Sequence, residues 1–281
     1  MAGIIVNTNI PSMQVQRNLN AATSNLNTAI ERMTTGLKIN RAADDAAGLF
    51  VASGLETQIR GSEVAQGSIQ TGINILQIAE GDLSLLEEHV LRIRDLATQA
   101  ASSYYTDEAR DAMEAEATQR VAEINRIAAA SNFNGLELLS ADATDTIRLQ
   151  VGPNSEATTN AITLTGVFGD ATATDDGIGA LDVTKLGAAD TAAALIADCD
   201  TALGKITTRR SSIGAVQNRL ESAYDSLIVQ VENLSAAKST IMDADIAKES
   251  SEYTKQQILQ QASASLLVQA NQAPSIALNL I

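Results

Sequence analysis

One stripe of apolar residues runs along the stretch Ser68–Ala100 and constrains the fold more than any other feature. Its members recur at spacings of three, four and seven residues: Ile69, Ile73, Leu76, Leu83, Leu86, Val90, Ile93 and Ala97. This spacing predicts an α-helix with a narrow, coiled-coil-like seam. No proline occurs between Ser12 and Gly152, so the helix can extend back to about Asp44, a length of roughly 85 Å at the usual rise per residue. A helix of that length needs other long helices beside it.

A distant part of the chain carries a matching seam. Its apolar residues fall every seven positions without a slip: Ile206, Ile213, Leu220, Leu227 and Leu234. Two such seams are best explained by packing against each other. The alternative is that each belongs to a separate amphipathic helix in an ordinary bundle.

The two ends of the chain carry similar but weaker patterns, from Val15 to Leu37 and from Leu259 to Leu280. Within them, the apolar positions that we interpret as helix-seam and assembly contacts are Leu19, Leu26, Ile30, Met33, Leu259 and Leu266. Most other positions are Asn, Gln, Thr, Ser or Ala, and the polar ones among these are mediocre helix formers. Each end is therefore expected to fold mainly on contact with a partner.

Local signals place the helix ends. Gly36 is a plausible helix stop, and Thr106 is a good N-cap because acidic residues follow it. The connection before Thr106 is short, so the following helix should return antiparallel to the long one. Asn134-Gly135 predicts a turn, and the run IMDADI at 241–246 predicts a break between two C-terminal helices.

The hydrophobic period changes to two at Thr146, which predicts two strands, one through Leu149 and one through Leu164. The segment 166–190 reads as a loop with one more short strand near 181–183. The fold class is therefore mainly α: an elongated, antiparallel coiled-coil-like helical bundle, or rod, with a small β-hairpin region. Glycines at 48, 54, 61, 67, 72 and 81 interrupt the pattern of the long helix. They either allow close packing of the backbone or simply make the helix weak.

Composition excludes several function classes. The net charge of −15, from 34 acids and 19 bases, disfavours nucleic acid. No apolar run is long enough to span a membrane, and residues 1–10 lack the pattern of a general secretory signal. The chain has one histidine, His89, and one cysteine, Cys199. No metal, nucleophile or phosphate-loop motif accompanies them, so neither an enzyme nor a cofactor is expected.

Leu96 departs from the seam pattern of the long helix. It lies about 120° around the helix from the seam at Val90, and Arg92 lies about 160° from it. The sequence therefore predicts an apolar residue on the outer side of the helix, one turn after an arginine. A partner-binding face is one hypothesis, although a single exposed leucine needs no explanation.

Seven stretches of the sequence resemble bacterial flagellin. In chain order they are VNTNIPS, ERMTTGLKINRAADDAAG, LRIRDLATQA, NFNG, IGAVQNRLESA, IMDADIAKES and SLLVQANQAPSIALNLI. They follow the family's order and cover roughly residues 1–165 and 190–281. The resemblance is to a short form, because the segment 166–190 leaves no room for large outer domains.

The resemblance implies a secreted subunit that polymerises with itself into the extracellular flagellar filament for motility. It implies a discontinuous inner-tube domain, residues 1–43 with 238–281, and a helical rod domain, residues 44–237. The rod carries the β-hairpin at about 145–165 and a short variable loop at 166–190. Export in unfolded form by a type III apparatus is also implied.

The same resemblance implies partners and a receptor site. The C-terminal helix should bind an export chaperone, and the filament should contact cap and hook-junction proteins. The family's site for the host Toll-like receptor 5 matches Arg92, Leu96 and Glu116 in this sequence. Alternatives are a hook–filament junction protein with the same terminal helices, or a type III translocator, which the lack of a long apolar run disfavours.

Overall fold

A computed structural model describes residues 8–143 and 146–278, with side chains described as far as Gln272. The elements, in chain order, are α1 Ile10–Thr35, α2 Ala46–Ala100, α3 Asp107–Ala130, β1 Asn132–Phe133, β2 Leu136–Glu137, β3 Thr146–Gln150, α4 Ala157–Asn160, β4 Ala161–Thr165, the 3-10 helix Val183–Gly187, α5 Ala189–Met242 and α6 Ile246–Leu278. The predicted mainly α fold with a small β-hairpin region is confirmed.

Helix ends follow the capping chemistry of the sequence. The Asn9 side chain accepts a hydrogen bond from the Ser12 amide at the start of α1. At its other end Gly36 adopts a left-handed conformation, φ 72°, which glycine allows without steric cost, and donates its N–H to the Arg32 carbonyl. Thr106 caps α3 through its side chain. The predicted stop at Gly36 and cap at Thr106 are therefore confirmed.

The break between α5 and α6 is held by a short backbone bridge. Leu37 pairs antiparallel with Asp243, and the Ala244 amide donates to the Gly36 carbonyl at 2.9 Å. The carboxylate of Asp245 accepts from two backbone amides in the first turn of α6. The IMDADI run thus ends one helix and caps the next, as the sequence predicted.

The chain packs as two compact units, Met1–Thr57 with Asn233–Ile281 and Gln58–Glu232, called unit 1 and unit 2 below. In unit 1, α1 lies against α6, and Lys238 of α5 pairs with Glu56 of α2 at 2.6 Å. In unit 2, the parts of α2, α3 and α5 that it contains pack together with the β3–β4 hairpin.

Ion pairs across unit 2 give the directions of its helices. Arg94 of α2 pairs with Asp200 of α5 at 2.7 Å, and further along Arg210 of α5 pairs with Glu87 of α2. Residue numbers fall on one helix as they rise on the other, so α2 and α5 are antiparallel. Buried members of the two seams in this unit are Ile73, Leu76, Leu83, Val90, Ile206, Ile213, Leu220 and Leu227. Leu234, in unit 1, is half-buried.

Two antiparallel hairpins follow α3. Asn134 and Gly135, with φ 52° and 81°, form the tight turn between β1 and β2, where both central residues need positive φ. In the second hairpin β3 pairs with β4, with Leu149 opposite Ile162. The predicted strand near 181–183 is absent from the described residues. A 3-10 turn begins there instead, because the Asp182 side chain accepts from the amide and hydroxyl of Thr184.

The glycines of α2 divide by what faces them. A Cβ placed on Gly61 would lie 2.7 Å from Cβ of Pro153, and one on Gly72 would lie 2.2 Å from Cδ1 of Leu149. These two glycines let the hairpin region approach the helix backbone closely. A Cβ on Gly67 or Gly81 would meet no described heavy atom within 4 Å. Close packing within the chain therefore explains Gly61 and Gly72, and also Gly48, where a Cβ would lie 2.8 Å from Cδ1 of Ile39.

Gly61→Ala is expected to destabilise unit 2 by about 1–3 kcal/mol, because the proline ring facing it cannot change rotamer. Gly67→Ala, the matched control on the same helix, should stabilise the chain by about 0.5–1 kcal/mol through helix propensity. The measurement is urea unfolding of the depolymerised chain, followed by far-UV circular dichroism. Equal stabilities for the two variants would contradict the close packing of Gly61.

Candidate functional site: the terminal helix pair and the Arg92 cluster

The pairing of α1 with α6 is marked by polar contacts along its length. The Ser12 hydroxyl lies 2.7 Å from Oδ1 of Asn271, and Thr23 Oγ1 accepts from Gln260 Nε2 at 3.1 Å. Near the other end Arg32 pairs with Glu249 at 3.3 Å. Numbers rise on one helix as they fall on the other, so the pair is antiparallel. These contacts fix its register without relying on large apolar side chains.

The buried face of each helix follows a heptad. On α1 this face includes the predicted positions Leu19, Leu26 and Met33, whereas on α6 it is a different face from the predicted one. The heptad positions with reduced exposure on α1 are Ser12, Val15, Leu19, Ala22, Leu26, Ala29 and Met33. On α6 they are Glu249, Tyr253, Gln256, Gln260, Ser263, Leu267 and Ala270. Ile30 does not belong to this seam: it is 41% exposed, and Ala29 takes the position. The error arose because Ala29 and Ile30 both fit helical spacing, and the sequence favoured the larger side chain.

Leu259 and Leu266 also lie outside the seam that is buried within the chain. Leu266 is 53% exposed, while Glu249 and Gln256 are buried. The intramolecular face of α6 is therefore polar, and its larger apolar side chains point to the surface. The exposed apolar residues of the two terminal helices are Ile10, Met13, Ile30, Ile246, Ile258, Leu259, Leu266 and Val268. The seam prediction for Leu280 lies outside the described residues.

The ends of the chain are also nearly free of charge. Residues 1–30 contain one charged side chain, Arg17, and residues 256–281 contain none, in a chain of net charge −15. Uncharged surface with exposed apolar groups is the kind on which like-charged copies can meet without repulsion. This arrangement makes the terminal pair a candidate association surface.

A second cluster joins α2 to α3 in unit 2. The Arg92 guanidinium donates to both carboxylate oxygens of Glu116, at 2.8 and 3.1 Å, and Arg120 approaches the same carboxylate at 3.7 Å. The hydrogen bond from Arg92 is the main cause that holds the pKa of Glu116 below its usual value. Arg120 also contacts Nδ1 of His89 at 3.3 Å. The structure thus brings together two of the three predicted receptor residues, Arg92 and Glu116.

The prediction that Leu96 lies on the exposed outer side of α2 is wrong. Its side chain is 2% exposed and belongs to the hydrophobic core of unit 2. The reason is that α2 is covered on two sides. Arg92 contacts α3 through Glu116, whereas Arg94 contacts α5 through Asp200. A helix packed between two others buries a wider arc than a single seam.

Cys199 lies in the core of unit 2 and is fully buried. Burial, with smaller contributions from Asp198 and Asp200, raises the pKa of the thiol from 9.0 to about 12. The thiol is therefore neutral at physiological pH, as expected for a small apolar core residue.

Iodoacetamide should alkylate Cys199 about a thousandfold more slowly in the folded chain than in the unfolded chain at pH 8. The reactive species is the thiolate, and a rise in pKa of about three units lowers its fraction by that factor. The check is mass-spectrometric timing of alkylation with and without denaturant. Equal rates would mean that the core around Cys199 opens readily.

No group of three or more potential metal-ligating side chains occurs among the described residues. Over the same residues, no helix is long and apolar enough to cross a membrane.

Both ends of the chain match models of known protein families. Residues 6–144 match the family model of the bacterial flagellin N-terminal helical region, and residues 196–281 match that of the C-terminal helical region. A flagellin of Halalkalibacterium halodurans is 40% identical over 278 residues, which is 99% of this chain and 100% of that protein. A flagellin of Bacillus subtilis strain 168 is 36% identical, covering 98% of this chain and 99% of that protein.

Among solved structures, a flagellar hook-associated protein from Vibrio parahaemolyticus aligns with a TM-score of 0.59. The alignment covers 71% of this chain and 100% of that one, at 16% sequence identity. At that identity the likeness concerns the fold alone.

Proposed function

The chain belongs to the bacterial flagellin family, and from this premise we infer how its surfaces drive assembly. Flagellins are structural proteins, not enzymes, and this chain is a short flagellin: an extracellular, self-polymerising subunit of the flagellar filament. We propose that the terminal segments, residues 1–43 and 238–281, form the inner-tube domain. Residues 44–237 would form the rod, with the hairpin at 145–165 and the variable loop at 166–190. Residues 1–7, 144–145 and 279–281 of these proposed domains lie outside the part of the chain that the structure describes.

The observation that carries this proposal is the surface of α1 and α6. The intramolecular face of α6 is largely polar, with Glu249 and Gln256 buried, while Ile258, Leu259, Leu266 and Val268 are exposed. Burying an apolar side chain of this size contributes about 1.5–3 kcal/mol. A copy in dilute solution cannot realise that contribution, whereas a copy surrounded by neighbours can. Ordering of the ends is thus coupled to polymerisation.

Electron microscopy tests the proposal directly. Protein that has been dissociated by acid and returned to neutral pH should form long filaments. Protein that stays monomeric at every concentration would contradict it. Copy number in sheared flagella separates a filament subunit, which is the bulk of the material, from a hook–filament junction protein.

Export and its partners belong to the same proposal. A chain with one cysteine can form no internal disulfide, so it can be exported unfolded without a reductive step. We propose that the C-terminal helix, which carries no charged side chain from Gln256 onward, binds an export chaperone before assembly. We propose also that the filament ends meet cap and hook-junction proteins. The exposed apolar side chains of α6 are suited first to binding the chaperone and then to contacts within the filament.

We propose further that Arg92, Leu96 and Glu116 serve recognition by Toll-like receptor 5. Arg92 and Glu116 are half-exposed and lie on two adjacent helices, where a partner can reach both. Leu96 lies beneath them in the core, so its role is to hold α2 against α3 rather than to contact the receptor directly.

Replacing both Arg92 and Glu116 by alanine should weaken receptor binding by about 1 kcal/mol or more, as truncation of an interface anchor often does. Binding of the depolymerised chain to the receptor ectodomain can be measured by surface plasmon resonance. Arg126→Ala with Glu123→Ala removes a similar exposed ion pair from α3 and is the control. Unchanged affinity for the Arg92 and Glu116 variant would exclude this site.

A further inference from the structure

A cleft of about 320 Å³ opens in unit 2 between the hairpin region and α5. One side is formed by residues 151–154 and 158–162, which include most of α4 and the start of β4, and the other side by one face of α5. The volume lies at the lower end of the range that is typical of small-molecule sites. The cleft therefore has room for a ligand of about the size of one monosaccharide.

The cleft has an apolar floor and a polar rim. Ile162 and Leu227, which line it, are each 5% exposed, and Pro153 beside the floor is half-buried. Every lining residue that is exposed carries an amide, a hydroxyl or a guanidinium group: Asn154, Thr158, Thr159, Arg219, Ser226 and Gln230. Apolar walls with a few convergent polar groups are the usual composition of a small-molecule site.

The charge of the cleft is opposite to that of the chain. No carboxylate occurs among the described residues that line it, although the chain has 34 acidic residues, and Arg219 is its charged member. Within the part of the chain that the structure describes, the Arg219 guanidinium makes no hydrogen bond or ion pair. Arg92 and Arg94, in contrast, each pair with a carboxylate. Arg219 is therefore available to pair with the carboxylate of a ligand, a contact that a guanidinium makes with two parallel hydrogen bonds.

Hydroxyl and amide groups on both sides of the cleft have unused hydrogen-bonding capacity. Arg219, Ser226 and Gln230 are seven and four residues apart, so they lie along one side of α5. The side chains of Ser226 and Gln230 have no hydrogen-bond partner among the described residues. On the opposite side, the Thr159 hydroxyl accepts a hydrogen bond from Asn160 Nδ2 at 2.8 Å, and its own proton remains to donate. These groups suit a ligand that carries several hydroxyls.

We propose that this cleft binds a small polyhydroxylated carboxylate, that is, a sugar acid such as glucuronate. Arg219 pairs with the carboxylate, Ser226 and Gln230 bind hydroxyl groups, and the apolar floor contacts the C–H face of the sugar ring. A doubly charged phosphate is a poorer fit because a single cation faces it. An uncharged sugar would leave the guanidinium without a partner. This site is additional to filament assembly and does not depend on it.

A titration of the depolymerised full-length chain with glucuronate tests the proposal. Amide chemical shifts, followed by NMR, should change saturably with a Kd on the order of 1 mM, as expected for a ligand of this size. The signals that move should include those of Thr159 and Ser226. Glucose, which has the same ring without the carboxylate, should bind at least tenfold more weakly. The proposal is overturned if no saturable shift occurs near the cleft, if glucose binds as tightly, or if inorganic phosphate binds more tightly than glucuronate.

Two matched variants locate the charge that matters. Arg219→Gln should weaken glucuronate binding at least tenfold. Arg148→Gln removes an exposed arginine of β3 that does not line the cleft, so it should leave the affinity unchanged. Both variants should unfold at the same temperature as the wild type by circular dichroism, since both side chains are exposed. Equal affinities of Arg219→Gln and the wild type would remove Arg219 from the site and overturn the proposal, whatever the outcome of the filament experiments.

Discussion

A chain that lacks residues 245–281 is expected to keep unit 2 folded and to form no filament at any concentration. The deletion removes α6, and with it the longest uncharged stretch of the sequence and the exposed side chains Leu259, Leu266 and Val268. It also removes the helix that covers α1. Deleting residues 1–36 should have the same effect, because each terminal helix has its counterpart in the other.

Sedimentation and electron microscopy measure the loss of filaments, and the thermal transition by circular dichroism reports whether unit 2 still folds. The core of unit 2 lies within Gln58–Glu232, so its transition should remain cooperative in both truncated chains. The full-length chain, assayed at equal concentration, is the control. Long tubes formed by either truncated chain would show that the terminal helices are dispensable for assembly.

Local chemistry made much of this fold predictable from the sequence. Gly36 ends a helix because left-handed backbone suits it, Thr106 caps one through its side chain, and Asn134-Gly135 forms a two-residue hairpin turn. Each of these signals depends on a few neighbouring residues. The two matching heptad seams also predicted the antiparallel partners α2 and α5, since a strict seven-residue repeat leaves few other ways to bury both.

The errors share a different cause, which is packing between distant segments. A single seam on α2 predicts an exposed Leu96, but that helix is covered by two others. Side-chain size alone favours Ile30 over Ala29 as the seam residue, whereas Ala29 is the one that is buried. On α6 the buried face includes Glu249 and Gln256, and no rule of apolar periodicity selects glutamate and glutamine as interior residues. Glu249 pairs with Arg32 across the helix pair, and Gln256 donates a hydrogen bond to Glu252 on its own helix.

Substitutions at Leu83 and Leu85, which lie on a single turn of α2, should distinguish effects on folding from effects on assembly. Leu83 is fully buried, whereas Leu85 is 48% exposed. Leu83→Ala should lower the free energy of unfolding of the depolymerised chain by about 2–5 kcal/mol, since it removes buried methyl groups and leaves a cavity. Leu85→Ala should change that free energy by no more than about 0.5 kcal/mol, because its side chain has few contacts to lose.

Polymerisation should respond differently to these two substitutions. Leu85→Ala removes an exposed apolar group that a neighbouring subunit can cover, so it should raise the critical concentration although the monomer is as stable as the wild type. Leu83→Ala should impair assembly only to the extent that it unfolds the subunit, and lowering the temperature of the assay should recover filaments. Urea unfolding of monomers and light scattering of growing filaments give the two quantities separately. A variant at Leu85 that changed neither quantity would mean that this side chain stays in contact with water when copies assemble.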